Sequence, residues 1–236
     1  MRSVHRYGDL PSQFAELHAP DDSGPTAIAI VIHGGFWRDR YDLHLMDGLC
    51  ADLAVRGWAA CNLEYRRVGA DGGGWPVTFD DVRAGIDAVT TLPAIPVDRV
   101  VTIGHSAGGH LALWAAAAHG AVTDAVALAG VTDLEDAWAR GLSSNATAGF
   151  MGGSPAELPE RYAEGSPMAM LPVGVPMLLV HGDRDENVPV ELSIAFAEAA
   201  RAAGDDVELV VRPGIDHFEV IDPRGHSWTR VMDWLA

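Results

Sequence analysis

The sequence predicts an α/β fold, a mostly parallel central sheet with helices on both faces, from three observations. Apolar, β-rich runs alternate with segments of helical period along the chain. Proline and glycine stand where such helices should begin and end: Pro76 at a start, and Gly57, Gly120 and Gly204 where left-handed cap residues are expected. The length, 236 residues, suits one such domain, which at this size buries about 70–75% of its unfolded surface.

In chain order the predicted strands are Phe14–His18, Ala27–Ile32, Ala59–Glu64, Val100–Ile103, Ala125–Ala129, Met177–Val180 and Val207–Val211. Phe79, Val82, Ile86 and Val89 fall on one face of a helix, and Trp228, Val231, Met232 and Leu235 on one face of a closing helix. No repeat, low-complexity tract or linker divides the chain, so residues 1–236 read as a single domain. Only residues 133–170 interrupt the alternation. They are rich in Gly, Ser, Ala and Pro, with scattered Trp138, Phe150, Met151 and Met168. A loop of that length inside a compact domain is expected to be a lid or binding segment, the alternative being a poorly patterned helix pair.

Composition removes several functions. A formal charge of −17 without a basic stretch repels phosphate backbones, so no nucleic-acid partner is expected. All sixteen basic residues are arginine, which rules out Schiff-base lysines, the phosphate-loop lysine and a Ser–Lys dyad. There is no HExxH or CxxC, and neither metal nor cofactor is expected. Cys50 and Cys61 read as reduced core thiols, one in a helix and one in a strand. The start, MRSVHRYGDLPSQ, has no apolar signal region, and no apolar run approaches the ~18–20 residues that span a bilayer. A soluble cytoplasmic protein with no membrane partner is expected, as monomer or homodimer.

The chemistry centres on "GHSAGG", Gly104–Gly109. The GxSxG pattern follows the apolar "RVVTI" and opens an alanine-rich helix, the strand–turn–helix setting that raises a serine nucleophile, here Ser106, at a helix N-terminus. A site in such a sheet lies beyond the carboxyl ends of its strands. His217, in "PGIDHFE" just after the last strand, meets that condition and is the predicted base. His181 and His33 open turns of their own, and His226 lies in the final helical pattern. The acid comes from "HGDRDENVP": Asp185 sits ahead of Pro189, whereas Asp183 is expected to bond its own loop backbone. "IVIHGGFW" ends an early strand with two glycines, so the amides of Gly35 or Phe36, with that of Ala107, are the predicted oxyanion hole. Phe36, Trp37, Trp75 and Phe218 are the predicted apolar wall of the substrate pocket.

With these residues assembled, in the order Ser106, Asp185, His217, the chain resembles the α/β-hydrolase superfamily over essentially its whole length. HGGxW at His33–Trp37, "EYR" at 64–66, "GHSAGG", "SPMAML" and "HGDRDENVP" look like small esterases and the arylformamidase (kynurenine formamidase) group, with dienelactone hydrolases and prolyl oligopeptidases further away. The resemblance implies an α/β-hydrolase fold and a serine hydrolase that cleaves a small carboxylic ester or aryl formamide through an acyl-enzyme. Phe36 stands where the third glycine of HGGG esterases would be, which narrows the acyl pocket. No propeller is read in these residues, which favours small substrates over long peptides. The alternatives are a peptidase or acyltransferase with the same triad, and an inactive binding protein on this fold. The last is disfavoured because all three triad positions are filled.

Overall fold

A computed structural model describes residues 2–20, 24–25, 27–93, 95 and 98–236. Eight strands form one sheet: β1 (Arg2–Arg6), β2 (Phe14–His18), β3 (Ile28–Ile32), β4 (Ala59–Leu63), β5 (Val100–His105), β6 (Asp124–Leu128), β7 (Met177–Gly182) and β8 (Val207–Arg212). Their order is β1-β2-β4-β3-β5-β6-β7-β8. β1 and β2, and β2 and β4, pair antiparallel, and every later pairing is parallel. This is the α/β-hydrolase fold.

The interior strands are buried on both faces, and their period of two divides the core. Ile28, Ile30 and Ile32 join one cluster and Ala29 and Val31 the other. The first cluster is covered by α2 (Val77–Thr90), α3 (Ala107–Ala118) and α7 (Val190–Ala203), the second by α1 (Asp47–Val55) and α8 (His226–Leu235). Phe79, Val82, Ile86 and Val89 of α2 are buried, as are Trp228, Val231 and Leu235 of α8. Cys50 and Cys61 are free and buried in α1 and β4, and burial pushes the Cys61 thiol up to about 12.

Three features differ from the expectations. β1 is an edge strand whose residues alternate between exposed and half-buried, so Arg-Ser-Val-His-Arg carries no apolar pattern to read. Gly57 and Gly204 have positive φ, but Gly120 does not, because α3 ends at His119 in extended backbone. Residues 133–170 are helical rather than a loop. They form α4 (Leu134–Ala139), α5 (Leu142–Met151) and α6 (Pro159–Gly165), followed by a 3₁₀ turn at Pro167–Met170. Leu134, Ala137, Phe150, Met151 and Tyr162 pack into the first cluster, so their spacing follows short helices with a kink rather than one periodic face. Among the described residues no helix is long and apolar enough to cross a membrane.

The centre of the sheet is held by backbone-to-backbone approach that only glycine permits. A Cβ on Gly108 would lie 2.1 Å from the Ile32 carbonyl oxygen, whereas one on the exposed, helical Gly149 meets nothing within 4 Å. Gly108→Ala is therefore expected to destabilise by about 3 kcal/mol or more. Gly149→Ala is expected to stabilise by about 0.5–1 kcal/mol. Urea midpoints of the two variants against the parent check both signs.

Candidate active site

Ser106 is the hinge between β5 and α3, with φ 56° and ψ −118°. A non-glycine residue there costs about 1–3 kcal/mol, so its surroundings must impose it. They do: its amide donates to Leu128 O at 2.8 Å, and its carbonyl accepts from His110 N at 3.1 Å and Val131 N at 3.2 Å. Gly104, Gly108 and Gly109 let the turn close, since a Cβ on Gly104 would meet Gly108 O at 1.9 Å and one on Gly109 the Gly130 Cα at 2.8 Å.

The acid is held from several sides. Asp185, in the turn after β7, accepts from the Asn187 and Val188 amides through Oδ1, both at 2.8 Å. Its Oδ2 lies 2.6 Å from His217 Nδ1 and 3.1 Å from His181 Nε2. Burial pushes this carboxyl up, but the hydrogen bonds from His181 and His217 outweigh burial and hold it well below the usual carboxylate range. An ionised Asp185 accepts from Nδ1–H of His217, which leaves Nε2 as the ring nitrogen not engaged by the acid. Asp183 does bond backbone, but in the neighbouring loop, accepting from Gly214 N at 2.6 Å. His226 is exposed at the start of α8 and lines a separate depression.

Ser106 and His217 open on one cavity of about 180 Å³, with Gly35, Phe36 and Phe218 in its wall. Among the described residues no hydrogen bond joins the Ser106 hydroxyl to His217. Gly35, Phe36 and Trp37 follow one another at φ 120°, 50° and 57°. The amides of Gly35, Phe36 and Ala107 donate to no acceptor among the described residues.

That run of positive φ also corrects the predicted wall. It turns Phe36 into the cavity and Trp37 into the core, where Trp37 is fully buried, stacks on Phe150 at 4.4 Å and donates to His110 Nδ1 at 3.2 Å. Trp75 leads into α2 and packs edge-on against Phe79 at 4.9 Å, outside the cavity lining. Phe36 and Phe218 remain in the wall. Arg38, Arg40, Tyr41, Leu45, Ser143 and Asn187, which no periodicity marks, complete it. Ser143 begins three consecutive left-handed residues, Ser143–Asn145, so the 133–170 segment reaches the cavity at its least regular point.

Two further groups escape the sequence reading. His105, beside the serine, donates through Nε2 to the His217 carbonyl at 2.8 Å, and its ring lies 4.6 Å from that of His217. Glu64, buried at the end of β4, lies 2.9 Å from His33 Nε2 and accepts from Leu43 N at 3.1 Å and Tyr65 N at 3.0 Å. Tyr65 donates to the His33 carbonyl at 2.9 Å. The root of the Gly34–Trp37 loop is thereby tied to the Tyr41–Leu45 side of the cavity. The only signal for these roles is the "EYR" and "GHSAGG" spelling.

Burial lowers His105 to about 3 and His110 to about 4, so both rings stay neutral in the folded chain. An unfolded histidine titrates near ~6.5, so below that pH the unfolded state takes up protons that the native state refuses, and stability falls as pH falls. Two such groups give a slope of about 2.7 kcal/mol per pH unit between roughly pH 6 and 4. The depressed Asp185 adds a further loss once pH drops below its unfolded value of ~3.9. Urea midpoints from pH 7.5 to 4.5 should show this slope. His110→Gln should reduce it by about one proton, and a flat profile would remove the assignment of two buried neutral rings.

Comparison with known proteins bears on the fold and the family. Esterase LipC of Mycobacterium tuberculosis is 28% identical over 94% of this chain, which spans 62% of that protein's length. Among solved structures, a truncated carbohydrate esterase from gut microbiota superposes with a TM-score of 0.83 at 21% identity, over 98% of this chain and 94% of that one. Esterase 2 of Thermogutta terrifontis superposes with a TM-score of 0.80 at 22% identity, over 99% of this chain and 90% of that one. That esterase has been seen with propionate and butyrate bound and phosphorylated by paraoxon. The model of the prolyl oligopeptidase family matches residues 41–236, from the cavity wall at Tyr41 through the elbow, the acid turn and His217, and so the chain belongs to the prolyl oligopeptidase family.

Proposed function

We propose that the protein is a serine hydrolase that cleaves a small carboxylic ester or an aryl formamide through an acyl-enzyme. The observation that carries this reading is that Ser106, in its strained turn, opens on the same cavity as His217, whose Nδ1 lies 2.6 Å from a buried Asp185. In the proposed reaction Ser106 Oγ attacks the carbonyl carbon while its proton passes to His217 Nε2. The negative charge that develops on the carbonyl oxygen is held by the Ala107 amide and that of Gly35 or Phe36. The bond to the leaving group then breaks, its electron pair going to the leaving atom, which takes the proton from His217. Water attacks the acyl-enzyme by the same route in reverse and frees the acid.

Substrate size follows from the cavity. Pockets for drug-sized ligands run to about 300–1,000 Å³, so one of about 180 Å³ suits a small molecule. The propionate and butyrate bound by the Thermogutta esterase are of that size. The family match keeps a peptidase as a second reading, and product analysis with short peptides beside esters separates the two.

Organophosphate labelling with peptide mapping should place the adduct on Ser106, and Ser106→Ala should abolish both label and turnover. A label on Ser143 or Ser166 with Ser106→Ala still active would overturn the assignment.

The acyl limit rests on Phe36. With its amide at the oxyanion position and its ring in the wall, formyl and acetyl up to about butyryl should be accepted, and each methylene beyond the limit should cost roughly tenfold or more in kcat/KM. Phe36 has φ 50°, a value glycine adopts freely, so Phe36→Gly should relax the limit while keeping the amide donor. Octanoyl esters turned over faster than acetyl esters by the parent protein would overturn the small-acyl pocket and the formamide reading with it.

A further inference from the structure

The cavity is electrostatically unlike the rest of the chain. The protein carries a net −17, yet the fully charged side chains in the cavity wall are two arginines, Arg38 and Arg40, and no carboxylate lines it. Nine arginines elsewhere are paired with carboxylates, among them Arg66, 2.6 Å from Asp81, and Arg140, 2.7 Å from Asp136, whereas others such as Arg161 and Arg201 bond backbone carbonyls. Among the described residues neither Arg38 nor Arg40 has a carboxylate within 4.0 Å, although the chain has 33 acidic side chains to offer. Among the described residues the Arg38 guanidinium makes one long contact, 3.4 Å, to the Ser143 hydroxyl. Arg40 lies over the Tyr41 ring, 5.5 Å from its centroid, and Tyr41 in turn packs against Phe218 at 6.2 Å.

These groups have a depth order. Ser106 is buried, Arg38 half-buried and Arg40 exposed, so the two cations flank the outward side of the cavity over an aromatic wall. A guanidinium is a planar fork of donors that matches a carboxylate. Resting on the proposed hydrolase reading, we infer that the substrate is a small ester or amide whose leaving half is an aromatic ring bearing a carboxylate. The ring lies against Tyr41 and Phe218, and Arg38 and Arg40 receive the carboxylate. The acyl half is kept short by Phe36, so the half that reaches the arginines is the leaving one.

The test uses a matched pair, 4-acetoxybenzoate and its methyl ester, which present the same acyl group and ring and differ in charge. The parent should favour the carboxylate by about tenfold or more in kcat/KM, chiefly through KM, and the preference should shrink in about 1 M salt. Arg38→Met and Arg40→Met should each lower the ratio of the two rates and the double variant should bring it near one, whereas Arg224→Met, a surface charge control, should not change it. In Ser106→Ala protein, titration calorimetry with 4-acetamidobenzoate should show binding that its methyl ester lacks and that the double arginine variant loses. Equal or faster turnover of the methyl ester, with equal binding of the two amides, overturns the inference and leaves the hydrolase reading intact. Selective binding of the carboxylate with no turnover of either ester and no organophosphate adduct on Ser106 overturns the hydrolase reading and leaves the anion site standing. Neither binding nor turnover overturns both.

Discussion

The close approach of β3, β5 and α3 around Ser106 is the constraint on which the rest of the site depends. Three glycines, Gly104, Gly108 and Gly109, bring backbone against backbone at distances that a methyl group would violate, the tightest being 1.9 Å for a Cβ on Gly104. That approach sets the serine at φ 56° and raises its side chain towards the cavity at the start of α3. The strain is local, and the hydrogen bonds that oppose it belong to β6 and the start of α3, so a sheet formed in the right order is a precondition for the turn.

The second requirement is a buried carboxylate, whose pKa burial alone would raise. Asp185 stays ionised because two backbone amides and two imidazoles converge on its oxygens. His181 spends its Nε2 proton on Asp185 and on the Val188 carbonyl at 2.9 Å, while its Nδ1 lies 2.7 Å from the Ser193 hydroxyl. It therefore anchors the acid turn to α7, whereas His217 remains free to present its other nitrogen to the cavity. His105 completes the arrangement from the opposite side by holding the His217 carbonyl. Three histidines thus do three different things within one site, and their hydrogen-bond partners rather than their spacing distinguish them.

The cavity wall is drawn from loops at one end of the sheet, where the connections leave the strands. Glu64 and Tyr65 at the end of β4 tie the neighbouring Gly34–Trp37 and Tyr41–Leu45 segments together, so the proposed oxyanion donors and the arginine-bearing stretch share one support. In the proposed reaction, catalysis and substrate choice would be coupled through this buried carboxylate.

Much of this was written in the chain because it rests on local rules. Alternating apolar runs set the seven strands from Phe14 onwards, and the 3.6-residue period placed the buried faces of α2 and α8. GxSxG after a strand located the elbow, and the order of the acid turn and a late histidine brought Asp185 and His217 together. The tertiary structure alone decided which aromatics face the cavity, since three successive positive φ values send Phe36 outwards and Trp37 inwards, and sequence adjacency is blind to that reversal. It decided that Trp75 packs half-buried against the core, that residues 133–170 fold largely as short helices, and that His105, His181 and Glu64 hold neighbouring parts of the site. It also decided that Arg38 and Arg40 line the serine's cavity with no carboxylate partner among the described residues. Periodicity encodes burial against a neighbouring layer, whereas partners brought together from loops after different strands are set by how those strands are ordered in the sheet, a relation between residues far apart in the chain that no local pattern carries.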